Sequence, residues 1–170
     1  MGYLHVYTGD GKGKTTAAFG LLLRAHYAGW TVYVGQFVKD MAYHETMVVQ
    51  DLKDITIEQL GRGCFIERAP EAEDIALAAQ GMRHCAEILA SGTYRLVVLD
   101  ELTIALCYKL ISPEMVMEAL DKRHPDVEVV ITGRYAPQWL IDRADVVTEM
   151  REVKHYYATQ GLEARDGIER

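Results

Sequence analysis

The stretch YLHVYTGDGKGKTT, residues 3–16, decides how this chain folds. Residues 3–8 are typical of a short strand, and a glycine turn follows at residues 9–13. Glycine adopts positive φ at little cost, so the alternating glycines allow the turn to curl and direct its backbone N–H groups at one point. A helix that begins at Lys14 brings further unpaired N–H groups with partial positive charge. This stretch therefore predicts a binding site for a polyphosphate.

Three side chains at the turn and the helix start support this prediction. Lys12 and Lys14 each contribute an ammonium group, and Thr15 places a hydroxyl where a phosphate-binding loop holds Mg²⁺. The pattern G-x-x-x-x-G-K-[ST] requires a glycine where this chain has Thr8, so the loop is one residue shorter than that pattern. The alternative is a plain glycine turn with two solvated lysines. We expect Lys14 to be exposed, so that replacing it by alanine would leave the fold intact.

Size and composition favour one soluble domain. The chain has 170 residues, enough for a single domain over residues 1–170 with a sizeable core. The formal net charge of −7 argues against a nucleic-acid-binding surface. No apolar run is long enough to span a bilayer and the N-terminus lacks the features of a signal peptide, so no membrane partner is expected. The cysteines form no CxxC pair, which favours a reduced, cytoplasmic location; they are Cys64, Cys85 and Cys107.

Predicted strands alternate with predicted helices along the chain. The strands are expected at residues 3–8, 31–38, 55–60, 95–100, 127–132 and 144–150. The helices are expected at residues 15–28, 39–53, 71–91 and 113–123, with a short one after Pro137. This alternation is typical of an α/β fold, here a mostly parallel sheet of about six strands with helices on both faces.

Two carboxylates lie at the end of the most apolar predicted strand, within the sequence LVVLDE. Asp100 ends this strand and Glu101 comes next. Ligands gather at the carboxyl ends of strands in such sheets, and Mg²⁺ takes one or two carboxylates together with phosphate oxygens. Thr15, Asp100 and Glu101 are therefore predicted to form a Mg²⁺ site, whichever carboxylate contacts the metal. Alternatively, the acidic pair begins a helix at residues 102–110, or Glu101 orients a water for nucleotide hydrolysis.

Two arginines and one loop supply further candidate site residues. Arg134 follows the fifth predicted strand, so it is expected at the same sheet edge, where a guanidinium can clamp a phosphate or a carboxylate. The alternative is a surface arginine in a turn. Arg24, in the first helix, either reaches the nucleotide or pairs with an acidic side chain. Cys64 and Phe65 lie on a loop predicted at residues 61–70 and by themselves indicate only an apolar loop tip.

Six sequence blocks follow one another in the order found in one known family. They are TGDGKGKTTAAFG, GQFVK, GRGCFI, LVVLDE, VVITGR and ADVVTEM, and they extend over almost the whole chain. On these blocks the chain resembles the P-loop ATP:corrinoid adenosyltransferases. The resemblance implies a P-loop NTPase-like (RecA-like) fold. It also implies transfer of the 5′-deoxyadenosyl group of ATP to the Co(I) centre of a reduced corrinoid, with release of inorganic triphosphate.

The resemblance implies roles for individual residues as well. ATP would lie reversed relative to ordinary P-loop NTPases, so that C5′ rather than the γ-phosphorus faces the nucleophile. Mg²⁺ would be held by Thr15 and Glu101, with Asp100 nearby, while Arg24 and Arg134 would contact the nucleotide. The triphosphate would be held by Gly9, Asp10, Gly11, Lys12, Gly13, Lys14, Thr15 and Thr16. The catalytic contribution would come from Lys12, Lys14, Thr15 and Glu101.

The substrates and partners follow from the same resemblance. The corrinoid would contact Phe65 and Cys64, in a loop that has one aromatic residue and no Trp, whereas some members have both Phe and Trp there. A separate electron donor, such as a reduced flavoprotein, is implied because the sequence has no flavin or iron–sulfur motif. A homodimer is expected because family members commonly form one. The competing hypotheses are an ATP- or GTP-hydrolysing switch and a nucleotide-binding module without turnover.

Overall fold

The computed structural model describes residues 1–38, 43–61 and 69–169. Six strands form one sheet with the order β3-β2-β4-β5-β1-β6, and every neighbouring pair is parallel. The predicted α/β class with a six-stranded parallel sheet is thus confirmed. The strands are β1 Leu4–Thr8, β2 Val32–Gln36, β3 Ile55–Gln59, β4 Leu96–Asp100, β5 Glu128–Thr132 and β6 Val146–Glu149.

Local sequence signals account for where two of the longer helices start. The Ser112 hydroxyl accepts a hydrogen bond from the backbone N–H of Met115, and Pro113 occupies the first helical position. Glu71 and Asp74 form a reciprocal capping box at the start of the longest helix. The helices are α1 Lys14–Tyr27, α2 Val48–Asp51, α3 Ala72–Ser91, α4 Leu102–Cys107, α5 Pro113–Asp121, α6 Gln138–Arg143 and α7 Tyr156–Gln160, with a 3₁₀ helix at His44–Met47.

The sheet has a hydrophobic core on each of its faces. Alternate residues of the fully buried strand β4 point to opposite sides, so Leu99 joins the cluster that contains Met82 of α3. Val98 joins the opposite cluster, which contains Leu22 of α1. Burying side chains of this size contributes about 1.5–3 kcal/mol each. Helices therefore cover both faces of the sheet, as predicted.

Residues 39–53 do not form the single helix predicted for them. The structure describes the 3₁₀ helix and the four-residue α2 instead, and residues 39–42 lie outside the described part. Neither short element contains a buried residue, and Val48 of α2 is only partly buried against the core, so little packing stabilises a longer helix at this place. The predicted loop at residues 61–70 falls mostly on residues 62–68, which are also outside the described part.

The polar C-terminal segment (residues 151–169) is more ordered than its composition suggests. It contains α7, which starts where the His155 ring accepts a hydrogen bond from the backbone N–H of Tyr157. The helix ends at Gly161, whose φ is 63°. In the described ranges no helix is both long and apolar enough to cross a membrane.

The order of the strands decides which residues meet at the sheet edge. β5 lies between β1 and β4, with Thr132 paired to Tyr7 and Ile131 paired to Leu99. The segments that leave the carboxyl ends of these strands are therefore neighbours. They are the glycine turn after β1, the acidic pair at the end of β4 and the Gly133 turn after β5.

Candidate functional site

The glycine turn packs directly against the end of β6. Gly9 and Gly13 have φ values of 94° and 114°, which side chains disfavour. The Gly11 N–H donates to the Met150 carbonyl at 2.7 Å. A Cβ atom at Gly9 would lie 2.4 Å from that carbonyl oxygen, and one at Gly11 would lie 2.7 Å from it. Backbone shape and close contact therefore both require glycine here.

The Lys14 side chain is folded across the glycine turn. Its ammonium donates to the carbonyls of Gly9 at 2.7 Å and Gly11 at 2.8 Å. The residue is only 8% exposed, which corrects the expectation that it is an exposed lysine. Burial lowers the pKa of the ammonium, the Glu101 carboxylate opposes this shift, and the Arg134 guanidinium adds to it. The positive charge is thus held inside the turn rather than in solvent.

The Asp100 carboxylate is fully buried and receives hydrogen bonds from three elements. The Thr15 hydroxyl, at the start of α1, donates to Oδ1 at 3.0 Å. The Thr132 hydroxyl, at the end of β5, donates to the same oxygen at 2.6 Å. The Gln36 side-chain amide, at the end of β2, donates to Oδ2 at 3.1 Å. These donors stabilise the buried negative charge, and the Thr15 proton is directed at Asp100, so the lone pairs of the Thr15 oxygen point away from that carboxylate.

Glu101 has a left-handed backbone at the start of α4. Its φ is 58°, and its N–H donates to the Thr132 hydroxyl at 3.0 Å. Its carboxylate lies beside the Gly133 turn, where an added Cβ would be 3.3 Å from Glu101 Oε2 and 2.3 Å from Thr103 Oγ1. The glycine at position 133 therefore makes room for both side chains.

The oxygen donors of the site suit Mg²⁺ better than a transition metal. In the ranges that the structure describes, no group of three or more His, Cys, Asp or Glu side chains could hold a metal ion. The donors are the Thr15 hydroxyl and the Glu101 carboxylate, with Asp100 behind Thr15. Mg²⁺ takes few protein oxygens and completes its shell with water and phosphate oxygens, so this donor set fits it.

A cavity of about 870 Å³ opens above the glycine turn. Its volume is within the range of ligand pockets, which is about 300–1,000 Å³. The start of α1 carries no acidic side chain in its first turn, so its dipole remains available to an anion. The lining residues are Asp10, Gly11, Lys12, Gly13, Lys14, Thr15, Thr16, Phe19, Gly20, Leu23, Val38, Tyr43, His44, Glu45, Glu101, Ile104, Tyr108, Arg134, Tyr135, Gly167, Ile168 and Glu169.

Most of the sequence-predicted site residues meet in or beside this cavity. Arg134 lines it, and the Thr103 hydroxyl donates to the Arg134 carbonyl at 2.6 Å. Arg24 is exposed in the last turn of α1 and is not among the lining residues, so its contact with a nucleotide stays a prediction. Cys64 and Phe65 lie outside the described residues.

The structure adds a wall to the cavity that the sequence analysis missed. Lys12 donates from Nζ to the Glu169 carboxylate at 2.5 Å, to the Ile168 carbonyl at 3.1 Å and to the Tyr156 hydroxyl at 3.3 Å. The Arg165 guanidinium stacks 4.7 Å from the centre of the Tyr156 ring. The end of the C-terminal segment therefore faces the glycine turn. No local pattern signals this contact, because its partners are far apart in the chain.

Thr132 and Gln36 were missed for a different reason. Each is the polar last residue of a buried strand, at the edge where Asp100 was expected. The rule that identified Asp100, a polar residue at the carboxyl end of an apolar parallel strand, also finds these two.

Comparisons with known proteins identify the family of the chain. The chain matches the model of the family described as ATP:corrinoid adenosyltransferase BtuR/CobO/CobP over residues 1–170. It is 37% identical over 170 residues to a protein of Pseudomonas aeruginosa named corrinoid adenosyltransferase, covering 99% of this chain and 83% of that protein. It is 34% identical over 168 residues to a protein of the same name from Escherichia coli K12, covering 99% of this chain and 85% of that protein.

One solved structure supports the fold. The chain is similar to the flagellar accessory protein FlaH from Methanocaldococcus jannaschii, with a TM-score of 0.58 over 86% of this chain and 70% of that one. Sequence identity is 8%, so this likeness concerns the α/β fold alone. The family match covers the whole chain, and the two named relatives are 37% and 34% identical to it. Together these findings confirm the resemblance seen in the sequence blocks. The chain belongs to the ATP:corrinoid adenosyltransferase family.

Proposed function

We propose that this chain transfers the 5′-deoxyadenosyl group of ATP to the Co(I) centre of a reduced corrinoid and releases inorganic triphosphate. The observation that carries the proposal is one cavity that joins the shortened glycine turn, Lys14 and Glu101 in a chain that matches the family over its whole length. The corrinoid and ATP are both substrates.

The proposed reaction balances without a protein nucleophile. The electron pair of Co(I) forms the cobalt–carbon bond at C5′ of ATP. The bond between C5′ and the first phosphate oxygen breaks, and the triphosphate leaves with the electron pair of that broken C–O bond. The chain then has two tasks, which are to place C5′ in line with cobalt and to stabilise the charge of the leaving triphosphate.

The residues around the glycine turn are proposed to perform the second task. Backbone N–H groups of residues 9–16 and the ammonium groups of Lys12 and Lys14 would contact the phosphates. The Gly11 N–H is an exception, because it donates to the Met150 carbonyl. Mg²⁺, when bound by Thr15 and Glu101, would neutralise part of the phosphate charge. Asp100 would act through the Thr15 hydroxyl that it orients. Arg134, which lines the same cavity, would contact the nucleotide.

The remaining roles rest on the resemblance. ATP would lie reversed in the turn, so that C5′ faces the corrinoid. Arg24 would contact the nucleotide, and Phe65 and Cys64 would contact the corrin. A separate reduced flavoprotein would supply the electron that forms Co(I). A cytoplasmic location is supported by Cys85 and Cys107, which are free thiols.

A homodimer is also proposed. The edge strand β6 supports it, because Val146 and Val147 are each 41% exposed there. A second copy of the chain that packs along this edge would cover exposed apolar surface. Light scattering of the purified protein is expected to give twice the chain mass of 19.2 kDa, and a mass equal to that of one chain would contradict the dimer.

Product analysis tests the proposed function. The protein is incubated with ATP, Mg²⁺ and chemically reduced corrinoid, and the phosphate products are separated from the corrinoid. We expect adenosyl-corrinoid and inorganic triphosphate in equal amounts. ADP and phosphate formed without corrinoid would instead indicate a nucleotide hydrolase. ATP binding without any product would indicate a binding module.

The C-terminal segment is expected to compete with triphosphate for Lys12. Because the Glu169 carboxylate contacts the Lys12 ammonium, a phosphate must displace it, so Glu169→Gln should tighten the binding of inorganic triphosphate. The ion pair is partly exposed and such pairs are weak, so the gain in affinity should be small, at most about fivefold. Titration calorimetry measures it, with Glu163→Gln, an exposed residue of the same segment, as the control. Equal affinities of all three proteins would show that Glu169 does not compete.

A further inference from the structure

We propose that Thr132 is a positioning residue that sets the geometry of both acidic residues of the site. This inference rests on the proposed function for the reaction it serves, but it concerns contacts within the chain. Thr132 is the last residue of β5 and is fully buried. Its hydroxyl donates to Asp100 Oδ1 at 2.6 Å and accepts from the Glu101 N–H at 3.0 Å.

Hydrogen-bond accounting leaves one arrangement for this hydroxyl. A threonine hydroxyl has a single proton, and the Glu101 N–H can only donate, so the Thr132 proton must point to the carboxylate. Asp100 Oδ1 receives a second proton from the Thr15 hydroxyl at 3.0 Å. One continuous set of hydrogen bonds thus joins the backbone of Glu101 to the side chain of Thr15, through Thr132 and Asp100.

Thr132 holds the backbone of Glu101 in an uncommon conformation. A non-glycine residue at φ 58° is strained, and such a conformation persists only where neighbouring contacts hold it. The Thr132 hydroxyl holds the Glu101 N–H, and the adjacent Gly133 leaves room for the Glu101 carboxylate. Strand pairing fixes the distance, because Leu99 and Ile131, which precede Asp100 and Thr132, are paired in register. Thr132 therefore determines where the Glu101 carboxylate enters the cavity.

Thr132 affects both side chains that are proposed to bind Mg²⁺, Thr15 and Glu101. Through Asp100 it orients the Thr15 hydroxyl, and through the backbone it orients Glu101. Groups that orient metal ligands without contacting the metal affect metal affinity, and losing one typically costs about 10- to 100-fold in affinity or activity. A purely structural threonine would instead affect ATP binding equally with and without Mg²⁺.

Three variants test the proposal. Thr132→Val keeps the shape and removes the hydroxyl, and Thr132→Ser keeps the hydroxyl. Thr56→Val is the control. Thr56 lies on edge strand β3, and its hydroxyl is hydrogen-bonded to the Tyr94 hydroxyl at 3.0 Å. Neither residue lines the cavity. For each protein, calorimetry measures the Kd of ATP with Mg²⁺ and with a chelator, and product formation gives kcat and KM.

We expect Thr132→Val to weaken ATP binding about tenfold or more in Mg²⁺ and to leave the chelator value unchanged. We expect kcat to fall more than KM rises, and Thr132→Ser to restore both. A wild-type Mg²⁺ dependence in Thr132→Val would overturn the inference. Equal weakening with and without Mg²⁺ would also overturn it, since that pattern indicates a structural role. If the wild-type protein forms no adenosyl-corrinoid, the proposed function fails, while the Mg²⁺ dependence of binding still tests Thr132.

Discussion

Replacing Lys14 by alanine is expected to lower adenosyl transfer by at least about 100- to 1,000-fold, the effect of removing one well-placed group that stabilises developing charge. The ammonium lies inside the glycine turn, on the Gly9 and Gly11 carbonyls, where the triphosphate is proposed to bind. Without it, the leaving triphosphate loses a nearby positive charge. The rate of adenosyl-corrinoid formation at saturating ATP measures the effect.

Because Lys14 is buried, two further variants separate charge from packing. Lys14→Met keeps the aliphatic stem, so it should retain the melting temperature better than Lys14→Ala and be equally inactive. Lys122→Ala removes an exposed lysine of a surface ion pair with Glu118 and should change neither property. Near-normal turnover in Lys14→Met would show that the ammonium does not act on the triphosphate.

Replacing Gly9 by alanine is expected to weaken ATP binding at least about tenfold, because a lost hydrogen bond to a charged group costs about 1.5–3 kcal/mol. The new Cβ would lie 2.4 Å from the Met150 carbonyl oxygen, and φ at this position is 94°. Because the clashing atom belongs to the backbone of Met150, it cannot rotate away as a side chain would. The turn itself must move, and its N–H groups then no longer point in one direction. Overpacking of this kind also destabilises a fold by about 1–3 kcal/mol, so the melting temperature should fall.

The matched control for this variant is Gly29→Ala. Gly29 also has a positive φ, of 82°, but an added Cβ there meets nothing within 4 Å, and Gly29 does not line the cavity. Alanine is strained at this φ, so the melting temperature should fall while ATP binding stays at the wild-type level. Calorimetric ATP binding and thermal unfolding are measured on both variants. A Gly9→Ala protein that binds ATP as tightly as Gly29→Ala would contradict the role of the turn.

Much of the site is predictable because its chemistry is local. The glycine turn and Lys14 form a contiguous stretch, and the helix that follows begins at the predicted residue. Asp100 ends the most apolar strand and Glu101 directly follows it, and the rule about carboxyl ends of parallel strands brings them to the same edge as the glycine turn. The fold class follows from alternation of strands and helices in the same way.

Other features could not be predicted because they depend on distant contacts. The helix predicted at residues 39–53 relied on local composition, yet the described part of that segment buries no residue that would stabilise a long helix. Lys14 was expected to be exposed, because lysines usually are, and only the curl of the turn buries it. The pairing of Lys12 with Glu169 joins residues 157 positions apart, which no periodicity encodes.

The sequence by itself determined the parallel α/β fold, the shape of the glycine turn at which phosphate binding is proposed, and the edge at which the acidic pair lies. These follow from backbone preferences and from apolar patterns that act over a few residues. Only the tertiary structure decided that Thr132 joins Asp100 to Glu101 and that the C-terminal segment forms a wall of the cavity. Such contacts arise when the sheet places β5 between β1 and β4, because hydrogen bonds between distant residues form only where packing brings donors and acceptors together.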